Sequence, residues 1–164
     1  MKEDTFRAQF EHDYRAMYDA APNDFTDLDY VGALGSIHGA LLYSRILLPE
    51  FIECKGMVFL RDVFEDAGGE AAINRLYAEY GDRRKVEQSL NCFDLTLNFP
   101  NQLASNRAGD AQLLAQQLAT AWRLQLQATY PERAFVVSVF DEVGEVGVIF
   151  CQAEASYSES NASE

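Results

Sequence analysis

Histidine is nearly missing from this chain: only His12 and His38 occur. Nucleophilic catalysis needs a base beside a serine or cysteine, and clustered metal sites draw heavily on imidazole. Two distant histidines leave few ways to build either. G-x-S-x-G, H-E-x-x-H and D-x-D-x-D-G are also missing, which removes the commonest hydrolase, metalloprotease and calcium-loop signatures.

Cysteine is sparse too. Cys54, Cys92 and Cys151 are odd in number, far apart and free of any C-x-x-C pair. That excludes a disulfide framework and a zinc knuckle, and it fits reduced, mostly buried thiols in a cytoplasm. The N-terminal MKEDTFRAQF is charged and has no apolar run before a small-residue cleavage site, so no signal peptide is expected. Asn161-Ala162-Ser163 matches a glycosylation triplet, but without secretion the match is empty.

Basic residues are the third shortage: 13 Lys and Arg stand against 26 carboxylates, a formal net charge of −13. Such a field repels phosphate backbones and anionic lipid surfaces, so neither nucleic acid nor a membrane is expected as a partner. A basic protein would be steered inward. The one basic cluster, Arg83-Arg84-Lys85, sits at a predicted helix start, where positive charge opposes the helix dipole. Three charges make a weak footprint for phosphate, and a solvated helix turn is the simpler reading.

What is present is ordinary globular material. With 48% hydrophobic and 24% charged residues over 164 positions, the chain has the composition and size of one domain with a real core. Residues 5–19 predict an amphipathic helix capped by Asp4, with Phe6, Phe10, Tyr14 and Met17 in one sector. His12 faces away from that stripe, and Glu11-His12-Asp13 cannot converge on one ion because consecutive helical residues point about 100° apart.

Residues 30–48, with the stretch GALGSIHGALL, pose a choice between a phosphate loop and a helix. Gly32, Gly35 and Gly39 recur three and four apart, which is the spacing of a helix face. No lysine or strand-like run accompanies them, as a phosphate cradle would need. Tyr30, Leu34, Ile37, Leu41 and Leu48 fall on one side, with the glycines, Leu42 and Ile46 on the other. A helix apolar on two sides predicts burial, with the glycines letting a neighbouring backbone come close. His38 and Arg45 inside the run, at about 2.5–3.5 kcal/mol for a central Arg, argue against membrane insertion.

Further on, 51–54 and 57–62 predict strands around Lys55-Gly56, either a hairpin or one bulged strand. Residues 70–80 predict a helix stopped by Gly81, burying Ile73, Leu76, Tyr77 and Tyr80. Asp82 caps another helix, where Val86, Leu90, Phe93 and Leu97 keep helical spacing, although 94–99 also alternates with period two. Residues 110–129 give the cleanest helix, with Leu114, Leu118, Ala121 and Trp122 on its core side. The runs 133–140 and 145–152 predict a hairpin turning at Gly144.

Together these predict an α+β fold: four or five helices packed on a small, mostly antiparallel sheet of three or four strands. Residues 1–154 would form a single domain and 155–164 a flexible acidic tail.

Two groups of residues invite a functional reading. Asp141, Glu142 and Glu145 crowd the hairpin tip, and the 31 residues from Ala134 onward carry six carboxylates and no Lys or Arg. A basic partner would relieve that crowding. Asp13, on the apolar side of the first helix, would meet His38 or Arg45 if the first two helices pack together. That buried polar cluster would be structural or would tune a proton-transfer group.

The leading expectation is a cytoplasmic, non-enzymatic protein-interaction domain, an acidic inhibitor or immunity-like protein capping a basic partner. No cofactor or metal is expected. The alternatives are a small-molecule enzyme or sensor with a pocket near Asp13, His38 and Arg45, and a subunit of a larger assembly that would expose an apolar patch.

Overall fold

The computed structural model of the chain describes residues 12, 31–32, 35–99, 108–142 and 144–153. The helix expected over 5–19 lies outside these apart from His12, which is helical and exposed. Asp13 and the 155–164 tail also lie outside them. The fold is α+β: among the described residues six complete helices pack with two small antiparallel sheets.

The first sheet is the hairpin of β1 (Phe51–Cys54) and β2 (Met57–Leu60). Lys55 and Gly56 both take positive φ, 52° and 75°, the backbone that joins two strands across a two-residue loop without splaying them. Cys54 therefore faces Met57, and Phe51 faces Leu60. All four residues of β2 are buried, because the strand is covered on both sides. Val58 and Leu60 join a cluster built around Trp122, whereas Met57 and Phe59 join Phe64, Ile73, Val86 and Leu90.

Three helices follow: α2 (Arg61–Asp66), α3 (Glu70–Tyr80) and α4 (Arg83–Leu90). Arg61 and Asp62, expected to extend the strand, are the first turn of α2 instead. Gly81 closes α3 at φ 61°, its N–H bonded to Tyr77 O, and Asp82 opens α4 by accepting from the N–H groups of Arg84 and Lys85. Ala72 and Ile73 are the buried residues of α3, but Tyr77 and Tyr80 are exposed. Their spacing marked a face that extends past the helix contacts.

The expected long helix after Asp82 breaks at Asn91. The side-chain amide of this buried residue accepts from Leu60 N–H at 2.9 Å and donates to Val58 O at 2.8 Å. It thus binds the outer edge of β2 as a neighbouring strand would. The chain then enters β3 (Cys92–Asp94) and the single turn α5 (Leu95–Asn98), which resolves the ambiguous 94–99 stretch. Asp94 Oδ1 caps that turn through Thr96 N and Leu97 N.

The long helix α6 (Ala108–Thr129) precedes the hairpin of β4 (Phe135–Glu142) and β5 (Glu145–Gln152), which turns with Gly144 at φ 91°. The second sheet has the order β3-β5-β4, antiparallel throughout. Ala115, Leu118, Ala119, Trp122 and Leu126 recur at helical spacing and press on Val137, Val146, Val148 and Phe150. Trp122 is 1% exposed, and Phe93 and Phe150 meet it edge-on at 6.1 and 6.2 Å. Gly147, on the opposite face of β5, sits where a Cβ would collide with the Phe93 carbonyl and the Phe140 ring.

The segment 30–48 overturns its expectation. Val31 and Gly32 are helical, but Gly35 and Ser36 are not, and α1 spans only Ile37–Leu47. Ser36 caps it by accepting from Gly39 N–H at 2.9 Å. No residue of α1 is buried, and Ile37 is 84% exposed. Nor do the glycines seat the backbone of another element: open space surrounds Gly32, Gly35 crowds only Val31 of its own segment, and Gly39 meets only Ser36 and Tyr43. Ile46 alone packs on the Trp122 cluster, and the Trp122 indole donates to Ile46 O at 2.8 Å. The helix is pinned at its C-terminal end, and its apolar sides stay uncovered.

Among the described residues no helix is long and apolar enough to cross a membrane.

Candidate functional site

The hairpin tip brings its three predicted residues together. Glu142 and Glu145 are direct cross-strand partners in the last rung before the turn, and Asp141 pairs with Val146 one rung below. All three are exposed. Alternation along a strand places Glu142 and Glu145 on one face and Asp141 on the other. Asp141 Oδ2 accepts from Gln112 Nε2 of α6 at 3.3 Å, which ties the tip to the helix behind it. No Lys or Arg among the described residues forms an ion pair with Glu142 or Glu145.

A fourth carboxylate joins them. Asp94 on β3 lies opposite Gly147 of β5, on the face that carries Glu142 and Glu145. It is separated from Glu145 by about fifty residues of sequence, so only the strand order reveals the neighbourhood. The field of this group reaches Cys92, whose thiol is pushed up from its ordinary value by burial first, then by Asp94 and Glu145. A raised thiol is a protonated, poorly nucleophilic one. Cys54 is half-buried and Cys151 buried, and all three thiols are free.

The second predicted group is not assembled among the described residues. His38 and Arg45 are both exposed on α1, and Asp13 lies outside the described residues. Arg45 does line a cleft of about 100 Å³, with Ile46, Pro49, Glu50, Arg61 and Trp122 among its walls. This is well below the roughly 300–1,000 Å³ usual for small-molecule sites. Arg61 Nε stands 2.9 Å from Glu50 Oε2, an ion pair set off the line of the N–H. His38 is not among the cleft residues.

The basic cluster is partly consumed by structure. The Arg83 guanidinium donates to the Gly56 carbonyl at the β1–β2 turn, and Gln152 Nε2 reaches the same oxygen at 2.9 Å. Arg133 is held by Glu53 at 2.7 Å. Among the described residues no three His, Cys, Asp or Glu side chains gather closely enough to hold a metal ion.

Comparisons with known protein families, with curated proteins and with solved structures give no match.

Proposed function

We propose that the chain is a non-enzymatic protein-interaction domain that docks a basic protein on the acidic end of the β4–β5 hairpin. The observation that carries this reading is Glu142 standing opposite Glu145 with no ion pair to either among the described residues. Like charges directly across a ladder destabilise it, so the free protein carries a repulsion that an incoming cation removes. Asp141, Asp94 and the net charge of −13 add to the same field. Such a field governs approach rate and partner choice more than final affinity.

The test compares immobilised wild type with the Glu142→Gln/Glu145→Gln double variant in lysate across a salt series. Proteins kept only by the wild type should be basic and should leave as salt rises. Equal retention on both, or retention indifferent to salt, refutes the reading.

A second reading, a subunit of a larger assembly, is favoured by α1. Ile37 and Leu41, one turn apart on the same side, are both exposed, as is Leu48 beyond the helix end, and exposed apolar surface on one helix side marks interaction sites. Concentration-dependent light scattering that Leu41→Glu abolishes supports it, and scattering unchanged by that substitution counts against it.

A further inference from the structure

The chain between α1 and β1 is fastened at three points. The Trp122 indole donates to Ile46 O, Gln125 Nε2 to Pro49 O, and the Arg61 N–H to Glu50 O, each at 2.8 Å. These bonds hold the walls of the cleft that Arg45 lines, so a ligand entering it has little left to order. Its floor is apolar, with Ile46, Val63 and Trp122, and its rim carries Arg45, Arg61 and Asp62. A volume of about 100 Å³ equals roughly three waters of liquid. That is room for a short aliphatic group and no more.

The polar groups of the rim are incompletely used. Arg61 Nε is buried without a hydrogen-bond acceptor, since Glu50 Oε2, though 2.9 Å away, lies off the line of the N–H. A buried donor left unmet is costly. Arg45 and Asp62 are exposed and, among the described residues, form no ion pair. Charges of opposite sign therefore border one apolar floor.

We propose that this cleft binds a free α-amino acid with a short aliphatic side chain. Its carboxylate meets Arg45 and the Arg61 Nε–H, its ammonium meets Asp62, and its side chain rests on Ile46, Val63 and Trp122. Charge selects the class. A molecule of net charge −13 repels a simple anion, and a simple cation would face two guanidinium groups and leave the Arg61 donor unmet. A zwitterion escapes both penalties. The Glu50 side chain is 77% exposed, and a surface pair of that kind gives way at little cost. The site does not depend on docking of a basic protein at the hairpin tip.

Trp122 is the sole tryptophan of the chain, so its fluorescence reports the cleft. Valine titrated into the full chain should change that emission saturably, in the millimolar range. Isovalerate, which lacks the ammonium, and isobutylamine, which lacks the carboxylate, should each bind about tenfold more weakly, as the loss of one charged hydrogen bond implies. Arg45→Gln and Asp62→Asn alter exposed side chains, so both should keep the wild-type circular dichroism and weaken valine by a similar factor. No saturable response to valine overturns the proposal. So does either analogue binding as tightly as valine, or valine binding unchanged in both variants, because charge then does not select the ligand.

Discussion

Glu87 holds Gln152 twice: its carboxylate accepts from the Gln152 backbone N–H at 2.8 Å and from the side-chain Nε2 at 2.6 Å. Glu87 is buried, and the nearest cation, Arg83, stands at 3.9 Å. Helix α4 is thereby fastened to the last residue of β5. A buried carboxylate is costly unless its lone pairs are filled, and here the strand end fills them. Glu87→Ala should cost about 1.5–3 kcal/mol, the range for hydrogen bonds to a charged group. Urea unfolding measures it, and a loss within error of zero would mean that the contact is dispensable.

Asn91 makes a parallel demand. Its amide satisfies Val58 O and Leu60 N–H, two backbone groups with no water to turn to. Asn91→Leu keeps the branching of the side chain and abandons both, at about 2–4 kcal/mol. Asn91→Asp should be no better, because it sets a carboxylate oxygen against the Val58 carbonyl. Hydrogen exchange at the Leu60 amide should rise in Asn91→Leu and rise less in Asn91→Asp, whose carboxylate still accepts from that N–H.

Gly147→Ala tests the close approach on β5. The added methyl meets the Phe93 carbonyl and the Phe140 ring, and overpacking of this kind costs about 1–3 kcal/mol. Removing the ring with Phe140→Ala should not rescue it, since the carbonyl of β3 remains in the way. Recovery in that double variant would assign the strain to the ring alone.

The Cys92 thiol gives a pH dependence. Burial, Asp94 and Glu145 raise it above its ordinary value, so the unfolded chain loses this proton first. Above the ordinary thiol value of about 8.5 the unfolded state binds fewer protons, and stability falls as pH rises until the native thiol ionises too. Below that value the contribution is fully present. Cys92→Ser should flatten the alkaline fall in denaturation midpoint, and Glu145→Gln should bring the thiol part of the way back. Site-resolved alkylation should label Cys92 more slowly in the native chain than in the unfolded one.

The sequence disclosed what is local. Lys55-Gly56 and Gly144 announced their turns because positive φ needs particular residues at particular places. Asp82 and Gly81 marked helix ends for the same kind of reason. The acidic tip was legible because Glu142 and Glu145 flank one short turn. Asp94 was not, since its place beside them depends on β3 pairing with β5. Asn91 looked like one more turn of helix because its purpose lies on β2, over thirty residues back. Periodicity showed which sides of 30–48 are apolar, but it carries no information about whether another element lies over them. Here the described residues leave Ile37 and Leu41 bare.

The alternation of β2 ties the fate of the two clusters together. Val58 and Leu60 are rooted in one, Met57 and Phe59 in the other, so neither can melt without stripping its neighbour of a wall. Heating should therefore register a single calorimetric transition, and a Phe59→Ala cavity should loosen the surroundings of Trp122, from which Phe59 is shielded by its own strand.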